Sequence, residues 1–555
     1  MPEYRDRAFG GGSLGGKARG LIFAQEVLKK HKDEILARVD IPESFFVGTA
    51  VFDQFMRMND LWDAYPSRLP FEEMERMFLQ SHLPPEFEAH LVGILERIRY
   101  PLAIRSSSLI EDNIKYSCAG KYLTTFIPNS GTEKRRFSQL KTAIKQVYAS
   151  TYGPNAVAYK KKHGLSGDKM AIIIQRLVGK ERGGHFYPEI AGVGYSKMYR
   201  RWTERIRKED GVVRIVFGLG TRCTGRGYAR TISLTNPLLR AEGHNPYEIA
   251  KYSQETYDAL EMVRCGFKSY NINERPETIT YHPGIGKYIQ VYSQRTNELR
   301  AMDVTGSLGP GERMVFSFEN VDRYYPQMFK RMKRLFEVLE GEMGMPVDIE
   351  FAYEPEEDML SLVQARPLSS LEEYSRVTIP ASVREDDVIL KGDRMLVNGK
   401  LEGVTRLACV DPDEYQSAQD KYAVARAVGY VNDSLRGERY ILVGPGRWGS
   451  TNPQLGVPVR YSEIAGAGLL VELGVKKGGF VPELSYGTHF FADLESDGVL
   501  YLPVFDSIDT NIFNSEWFRS APYEETDHPA VRVYRGKFSA FLDGEANVGV
   551  IVKEA

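Results

Sequence analysis

Two runs of alternating polarity fix more geometry than any other feature of this chain. Residues 347–352 alternate, residues 359–364 alternate, and a polar stretch, Tyr353-Glu354-Pro355-Glu356-Glu357-Asp358, separates them. A period of two marks a half-buried strand, so the pair predicts a β-hairpin. With the turn centred on Glu357, Glu350 stands opposite Gln364 and Asp348 opposite Arg366. All four are even-numbered and share one face of the ribbon, because successive side chains point to opposite sides. Val347, Ile349 and Phe351 take the other face and belong in a core. Two acids, an amide and a guanidinium on one face are costly to bury without ligands. The same pattern also suits a solvated face laced with cross-strand salt bridges.

Two segments far upstream carry the complementary chemistry. Gly15-Gly16-Lys17 opens a stretch with apolar residues at 14, 18, 21, 22 and 28, a helical spacing. Lys17 is then placed near a helix N-terminus, where backbone N–H groups and the dipole favour an anion. Pro101 introduces a short apolar strand, Leu102 to Arg105, which runs into Ser106-Ser107-Ser108, with Glu111-Asp112 close behind. Arg105 suits either a strand-end salt bridge to Glu111 or Asp112, or a guanidinium fork across phosphates. Cations with exposed backbone amides hold phosphates, and carboxylates hold the magnesium that accompanies them. The three segments together predict a nucleotide site assembled from distant parts of the chain.

These segments resemble the nucleotide-binding part of the phosphoenolpyruvate synthase and pyruvate phosphate dikinase family. Leu14-Gly15-Gly16-Lys17-Ala18-Arg19-Gly20-Leu21 is similar to its opening motif, and Ala103-Ile104-Arg105-Ser106-Ser107-Ser108 with Glu111-Asp112 and Cys118-Ala119-Gly120-Lys121 to its second. Residues 170–178, Met-Ala-Ile-Ile-Ile-Gln-Arg-Leu-Val, look like its adenine-flanking strand. Gly218-Leu219-Gly220 and the pair Asp348-Ile349-Glu350 and Gln364-Ala365-Arg366-Pro367 complete the set, in order, over residues 1 to about 370. The resemblance implies an ATP-grasp fold, ATP and Mg2+ as cofactors, and roles for single residues. Lys17 and Arg105 neutralise phosphates, Ser106 and Gly120 line them, and Gln175, Leu177 and Val178 offer backbone groups to adenine. Gly218 and Gly220 belong to a glycine-rich loop or are simply a turn. Glu350 and Gln364 ligate magnesium with Asp348 assisting, and Arg366 stabilises charge on the transferred group.

The remaining sequence is ordinary for a soluble protein. It has 555 residues, 42% hydrophobic and 26% charged, with a formal net charge of −2, so nothing global points to nucleic acid or an anionic membrane. No apolar run approaches the ~20 residues that span a bilayer, and Met-Pro-Glu-Tyr-Arg-Asp-Arg has no secretory core. Cys118, Cys223, Cys265 and Cys409 are widely spaced and read as reduced thiols of a cytoplasmic protein. The basic run Lys330-Arg331-Met332-Lys333-Arg334 lies in an amphipathic helix with Met328, Phe329, Met332, Leu335, Phe336 and Leu339 inward, which puts the cations on its solvated face.

Beyond residue 370 the resemblance stops. The family's pyruvate-handling barrel and swivelling phosphohistidine domain do not both fit in what remains. Tyr486-Gly487-Thr488-His489-Phe490-Phe491-Ala492 partly echoes a phosphohistidine segment. His489 is either a phosphoryl carrier at a helix start or a buried structural histidine. The strand 440–443 runs into Gly444-Pro445-Gly446-Arg447-Trp448-Gly449-Ser450, which is either a loop opened toward an anion, with Arg460, Glu472 and Asp506 nearby, or a structural turn. The expectation is a mixed α/β, multidomain protein. A two-lobed ATP-grasp module has its first lobe at 1–185 and its second, with the metal-binding hairpin, at 186–370. A separate α/β domain at 375–555 has strands near 440, 468 and 500. The expected function is an ATP- and Mg2+-dependent phosphotransferase acting on an unidentified small-molecule acceptor, with Arg105, Arg366 and His489 catalytic and the oligomeric state left open. An ATP-grasp ligase working through an acyl-phosphate and a non-catalytic ATP sensor are the alternatives.

Overall fold

A computed structural model describes residues 7–62, 69–111, 121–197, 207–223, 229–240, 243, 245–263, 266–280, 282–302, 308–368, 377–393, 396, 398–450, 452–475, 498–544 and 546–554. The protein is mixed α/β and divides into two compact units. One is built from the described residues up to Gly153 and from Gly167 to Leu368, the other from Pro154–Ser166 and the described residues after Leu368.

The first unit holds the three motif segments. Its five-stranded sheet runs in the order Ala8–Phe9, Ser44–Val47, Met170–Arg176, Leu102–Ser108, Thr124–Ile127. Its six-stranded sheet runs Arg230–Ser233, Val212–Val216, Ile190–Tyr195, Val347–Glu354, Met359–Pro367, Val39–Asp40. Smaller sheets of four and three strands are drawn from the described residues of 180–187, 256–271 and 289–316. The apolar run at 170–174 is buried because Met170–Arg176 is an inner strand, antiparallel to Ser44–Val47 on one side and to Leu102–Ser108 on the other. The predicted helix appears as Gly15–Lys30, with Lys17 in its first turn.

The hairpin forms as Val347–Glu354 and Met359–Pro367, with Glu350 opposite Gln364 and Asp348 opposite Arg366. Val347, Ile349 and Phe351 are buried in the core. The centre of the turn departs from expectation. The register shifts by one between Glu350 and Phe351, so Phe351 faces Leu362 and Glu354 faces Met359. Val363 is the extra residue of a β-bulge, and the bulge inverts parity along its strand. Leu360 and Leu362 therefore enter the core although they are even-numbered like Gln364 and Arg366.

The amphipathic helix appears as Pro326–Met343, with all six predicted apolar residues buried. One cation departs from the solvated face. Arg331 is buried and grips both carboxylate oxygens of Asp358, which also accepts from the Tyr353 hydroxyl at 2.7 Å. Asp358 sits at a φ of 48° in the hairpin turn. The helix thus anchors the turn by charge as well as by apolar contact.

The second unit is one large sheet. In order its strands are Leu500–Val504, Ala467–Leu473, Tyr440–Pro445, Gly399–Val410, Val531–Asp543, Val548–Glu554, Val388–Gly392 and Ile512–Phe513, with Tyr523–Glu525 also on Val531–Asp543. The strands expected near 440, 468 and 500 are parallel neighbours. No helix among the described residues is long and apolar enough to cross a membrane.

Glu354, at the end of the first hairpin strand, supplies a pH test. Its carboxylate oxygens have no hydrogen-bond partner among the described residues, and Arg182 is 3.6 Å away. Burial, opposed by Arg182 and reinforced by Glu189, pushes its carboxyl from 4.5 up to about 7. A carboxyl raised in the folded state favours folding while protonated and loses that advantage as pH rises through the folded value. Glu354→Gln is expected to be more stable than wild type at pH ~8, with the difference vanishing toward pH ~4.5. Urea unfolding across that range checks it.

Candidate functional site

Helix Gly15–Lys30 is pressed onto two strands at once. A Cβ on Gly15, whose φ is 79°, would lie 1.7 Å from the Ser107 carbonyl oxygen, and one on Gly20 would lie 2.0 Å from that of Ala365. Ser107 fastens the first turn. Its hydroxyl donates to the Leu14 carbonyl at 2.7 Å and accepts from the Ala18 N–H at 3.1 Å, satisfying one of the amides a helix start leaves open. Lys17 is carried into the same place. Its Nζ is 2.6 Å from Glu111 Oε1 and 3.2 Å from Ser106 Oγ.

Arg105 is the hub. It projects from the strand Leu102–Ser108 and spends its planar fork on four acceptors. Nη1 donates to the Val363 carbonyl at 2.8 Å and to Gln175 Oε1 at 3.1 Å. Nη2 donates to Glu350 Oε2 at 2.5 Å and to Gln364 Oε1 at 2.6 Å. The bulge at Val363 explains the first contact, since a bulged residue is left out of the ladder and its carbonyl is available. Arg366 binds Asp348 Oδ2 through Nε at 2.7 Å and Nη2 at 2.5 Å. Lys17, Arg105, Asp348, Gln175 and Gln364 are all buried, whereas the Glu350 side chain is 41% exposed. Burial pushes the Glu350 carboxyl up, but Arg105, Lys17 and Arg366 outweigh it and hold it below the ordinary carboxylate range.

Three cation–carboxylate pairs therefore meet at one place: Lys17 with Glu111, Arg105 with Glu350, and Arg366 with Asp348. Such a set can bind an anionic group through its cations and a hard cation through its oxygens. Glu350 and Gln364 present oxygens that both touch the same Arg105 nitrogen. Carboxylate and amide oxygens suit Mg2+, which takes few protein ligands and completes its shell with water and phosphate. No cluster of three or more His, Cys, Asp or Glu among the described residues is arranged to cage a metal alone.

The other predicted residues are placed as follows. Ser106 reaches both Lys17 and Glu111, the latter at 3.3 Å. Gln175 enters the cluster through its side chain, which also donates to Ser44 Oγ at 3.1 Å. Its backbone lies within the ladder, and the Leu177 N–H goes to the Pro101 carbonyl at 2.9 Å. Val178 is buried. Gly218 adopts a φ of 89°, and Gly220 opens a short 3-10 turn whose Thr221 and Arg222 are bound to Asp258. Gly120 and His489 lie outside the described residues, as do Asp112 and Arg226. In the second unit, the loop after Tyr440–Pro445 is pinned by a buried acid. Glu472 accepts from the Trp448 backbone N–H at 2.9 Å and from the Tyr501 hydroxyl at 2.7 Å. Arg460 is tied through its backbone N–H to Glu463, and Asp506 follows the strand Leu500–Val504.

Sequence reasoning left out three elements of the cluster. Glu111 pairs with Lys17, not with Arg105. The Gln175 side chain and the Val363 carbonyl both serve Arg105. Glu111 stands in a recognisable motif, but nothing in a one-dimensional pattern announces a bulge.

The close approach of the helix to the hairpin gives a direct test. Gly20→Ala is expected to cost at least about 2 kcal/mol in urea unfolding, because a backbone carbonyl cannot yield as a side chain can. Gly93→Ala, in helix Pro85–Arg97 with open space around its Cβ, is expected to be neutral or stabilising by up to ~1 kcal/mol.

Comparison with known proteins gives the family. The family model described as pyruvate phosphate dikinase, AMP/ATP-binding domain, matches residues 12–387, more than half of the chain. The match includes Lys17, Arg105, Glu350, Gln364 and Arg366. Phosphoenolpyruvate synthase of Pyrococcus furiosus is 23% identical over 295 residues, which cover 52% of this chain and 29% of that protein. Phosphoenolpyruvate synthase of Pseudomonas aeruginosa is 23% identical over 387 residues, 66% of this chain and 42% of that protein. The chain thus spans less than half the length of these relatives.

Proposed function

We propose that this chain, which belongs to the pyruvate phosphate dikinase AMP/ATP-binding domain family, binds ATP with Mg2+ in an ATP-grasp module and transfers a phosphoryl group to a small-molecule acceptor. The observation that carries the reading is Arg105, whose buried fork joins Glu350, Gln364 and Gln175 inside the span matched by the family model. A guanidinium in this setting is pre-oriented for phosphate oxygens and needs no reorganisation during reaction. Lys17 holds a second region of the phosphates from the helix start. Arg366, oriented by Asp348, stands where charge develops on the transferred group. Glu350 and Gln364 would hold magnesium, which when bound neutralises phosphate charge. The first lobe is read as residues 1–185, the second as 186–370, with residues 375–555 a separate domain, and the place of action as the cytoplasm.

The relatives' name suggests phosphoenolpyruvate chemistry, but the chain covers too little of them to carry pyruvate over as the acceptor. Product analysis decides the reaction class. With ATP labelled at the β or γ position, AMP plus phosphate would assign dikinase chemistry, in which one phosphoryl group goes to the acceptor and the other to water, and ADP would assign a simple kinase or a ligase. Tight binding with no turnover on any acceptor would assign a sensor.

Two substitutions separate the roles. Glu350→Gln keeps the shape and removes a negative charge, so ATP binding persists while turnover falls at least ~10²-fold. Lys17→Ala loses a ground-state phosphate contact and weakens ATP affinity as well as rate. Wild-type turnover in Glu350→Gln would remove the hairpin from the mechanism.

A further inference from the structure

Glu111 has neither a phosphate-binding nor a metal-binding role in the site as read above, yet it is among its most buried groups, at 1% exposure. Its carboxylate meets the Lys17 ammonium at 2.6 Å. It also accepts from Ser106 Oγ at 3.3 Å and from the Ser108 N–H at 3.2 Å. The Lys17 side chain is 11% exposed and that of Glu111 is fully buried, so the pair is desolvated on both sides. Desolvating an ammonium is costly unless a counter-ion lies beside it.

The partners of the two groups are unequal in a way that matters. Glu111 is fixed by the strand end and keeps the Ser106 and Ser108 donors if the ammonium turns away. Lys17 sits on a flexible stem, with Ser106 Oγ as its other contact, 3.2 Å away. The pair can therefore open from the lysine side without stranding the acid. The other two cations of the site differ. Arg105 is tied to four acceptors in two different sheets, and its acid, Glu350, is only partly buried. Arg366 is held twice by its cross-strand neighbour Asp348. Among the described residues Lys17 meets its acid through one ion pair, whereas Arg366 meets Asp348 through two guanidinium nitrogens.

We propose that Glu111 is the resting counter-ion of Lys17, which exchanges it for a phosphate oxygen when ATP binds. Glu111 is a positioning residue in this account. It holds the ammonium folded onto the serine strand, and it competes with the nucleotide for the same group. The inference rests on the reading of Lys17 as a phosphate ligand.

Calorimetric titration of ATP into wild type, Glu111→Gln, Lys17→Ala and the double variant tests it, with melting temperatures taken with and without ATP. Glu111→Gln is expected to bind ATP about tenfold tighter, one charge contact's worth of competition removed. It is also expected to melt lower without ATP and to gain more from ATP than wild type does. The double variant is expected to bind like Lys17→Ala, because the competitor acts only through the lysine. Unchanged or weaker ATP binding in Glu111→Gln, while Lys17→Ala binds poorly, overturns this inference and leaves the nucleotide site standing. Wild-type binding in Lys17→Ala overturns both. If Glu111→Gln does not fold, Glu111→Asp is read in the same titration. The shorter acid is expected to bind ATP more tightly than wild type by a smaller factor, and equal or weaker binding overturns the inference.

Discussion

A buried guanidinium organises the first unit. Arg105 arises from the five-stranded sheet and ends on the hairpin of the six-stranded sheet, so one side chain joins two layers. Its desolvation is costly and is offset only because the fork finds acceptors in its own plane. Removing any one of them leaves charge or polarity buried without a partner. The bulge in the hairpin serves that requirement, since it frees the Val363 carbonyl, which accepts from Nη1. The requirement also explains why a glutamine interrupts the apolar strand 170–174 at its end, since Gln175 reaches both Arg105 and Ser44.

Around this hub the site is balanced pair by pair. Each cation faces a carboxylate: Glu111 comes from the turn after the strand Leu102–Ser108, and Glu350 and Asp348 come from one face of the hairpin strand Val347–Glu354. The arrangement is self-consistent without a ligand, and it is assembled in a low-dielectric setting where a bound polyphosphate and its cation would interact strongly. Glycines make it compact. The helix start meets Ser107 and the helix body meets Ala365 at distances that a side chain on Gly15 or Gly20 would forbid.

Much of this was legible from residue order, and the parts that were not have specific causes. Period-two polarity placed Asp348, Glu350, Gln364 and Arg366 on one face and paired them correctly, because short hairpins are governed by local alternation. It placed the turn half a step away, because one-dimensional alternation does not announce the bulge at Val363. The helical spacing of residues 328–339 identified the buried stripe. It missed Arg331, since a cation on the polar side of a helix turns inward only where a distant acid, here Asp358, receives it. Gln175 was singled out for its backbone, whereas its amide is what joins the cluster; the direction of a side chain at a strand end depends on what faces the sheet. In the second unit, the glycine loop at 444–449 was visible in the sequence. Its fixation by Glu472 and Tyr501 requires three parallel strands to be neighbours, which spacing alone does not specify.

The central claim is that three distant segments close on one nucleotide. The most direct measurement is a crystal structure of the full chain with a non-hydrolysable ATP analogue and Mg2+. The account predicts terminal phosphate oxygens within hydrogen-bond distance of Lys17 Nζ and the Arg105 guanidinium, with the metal on Glu350 and Gln364 oxygens. An analogue bound elsewhere, with Lys17 still on Glu111 and Arg105 still on Glu350, would contradict it.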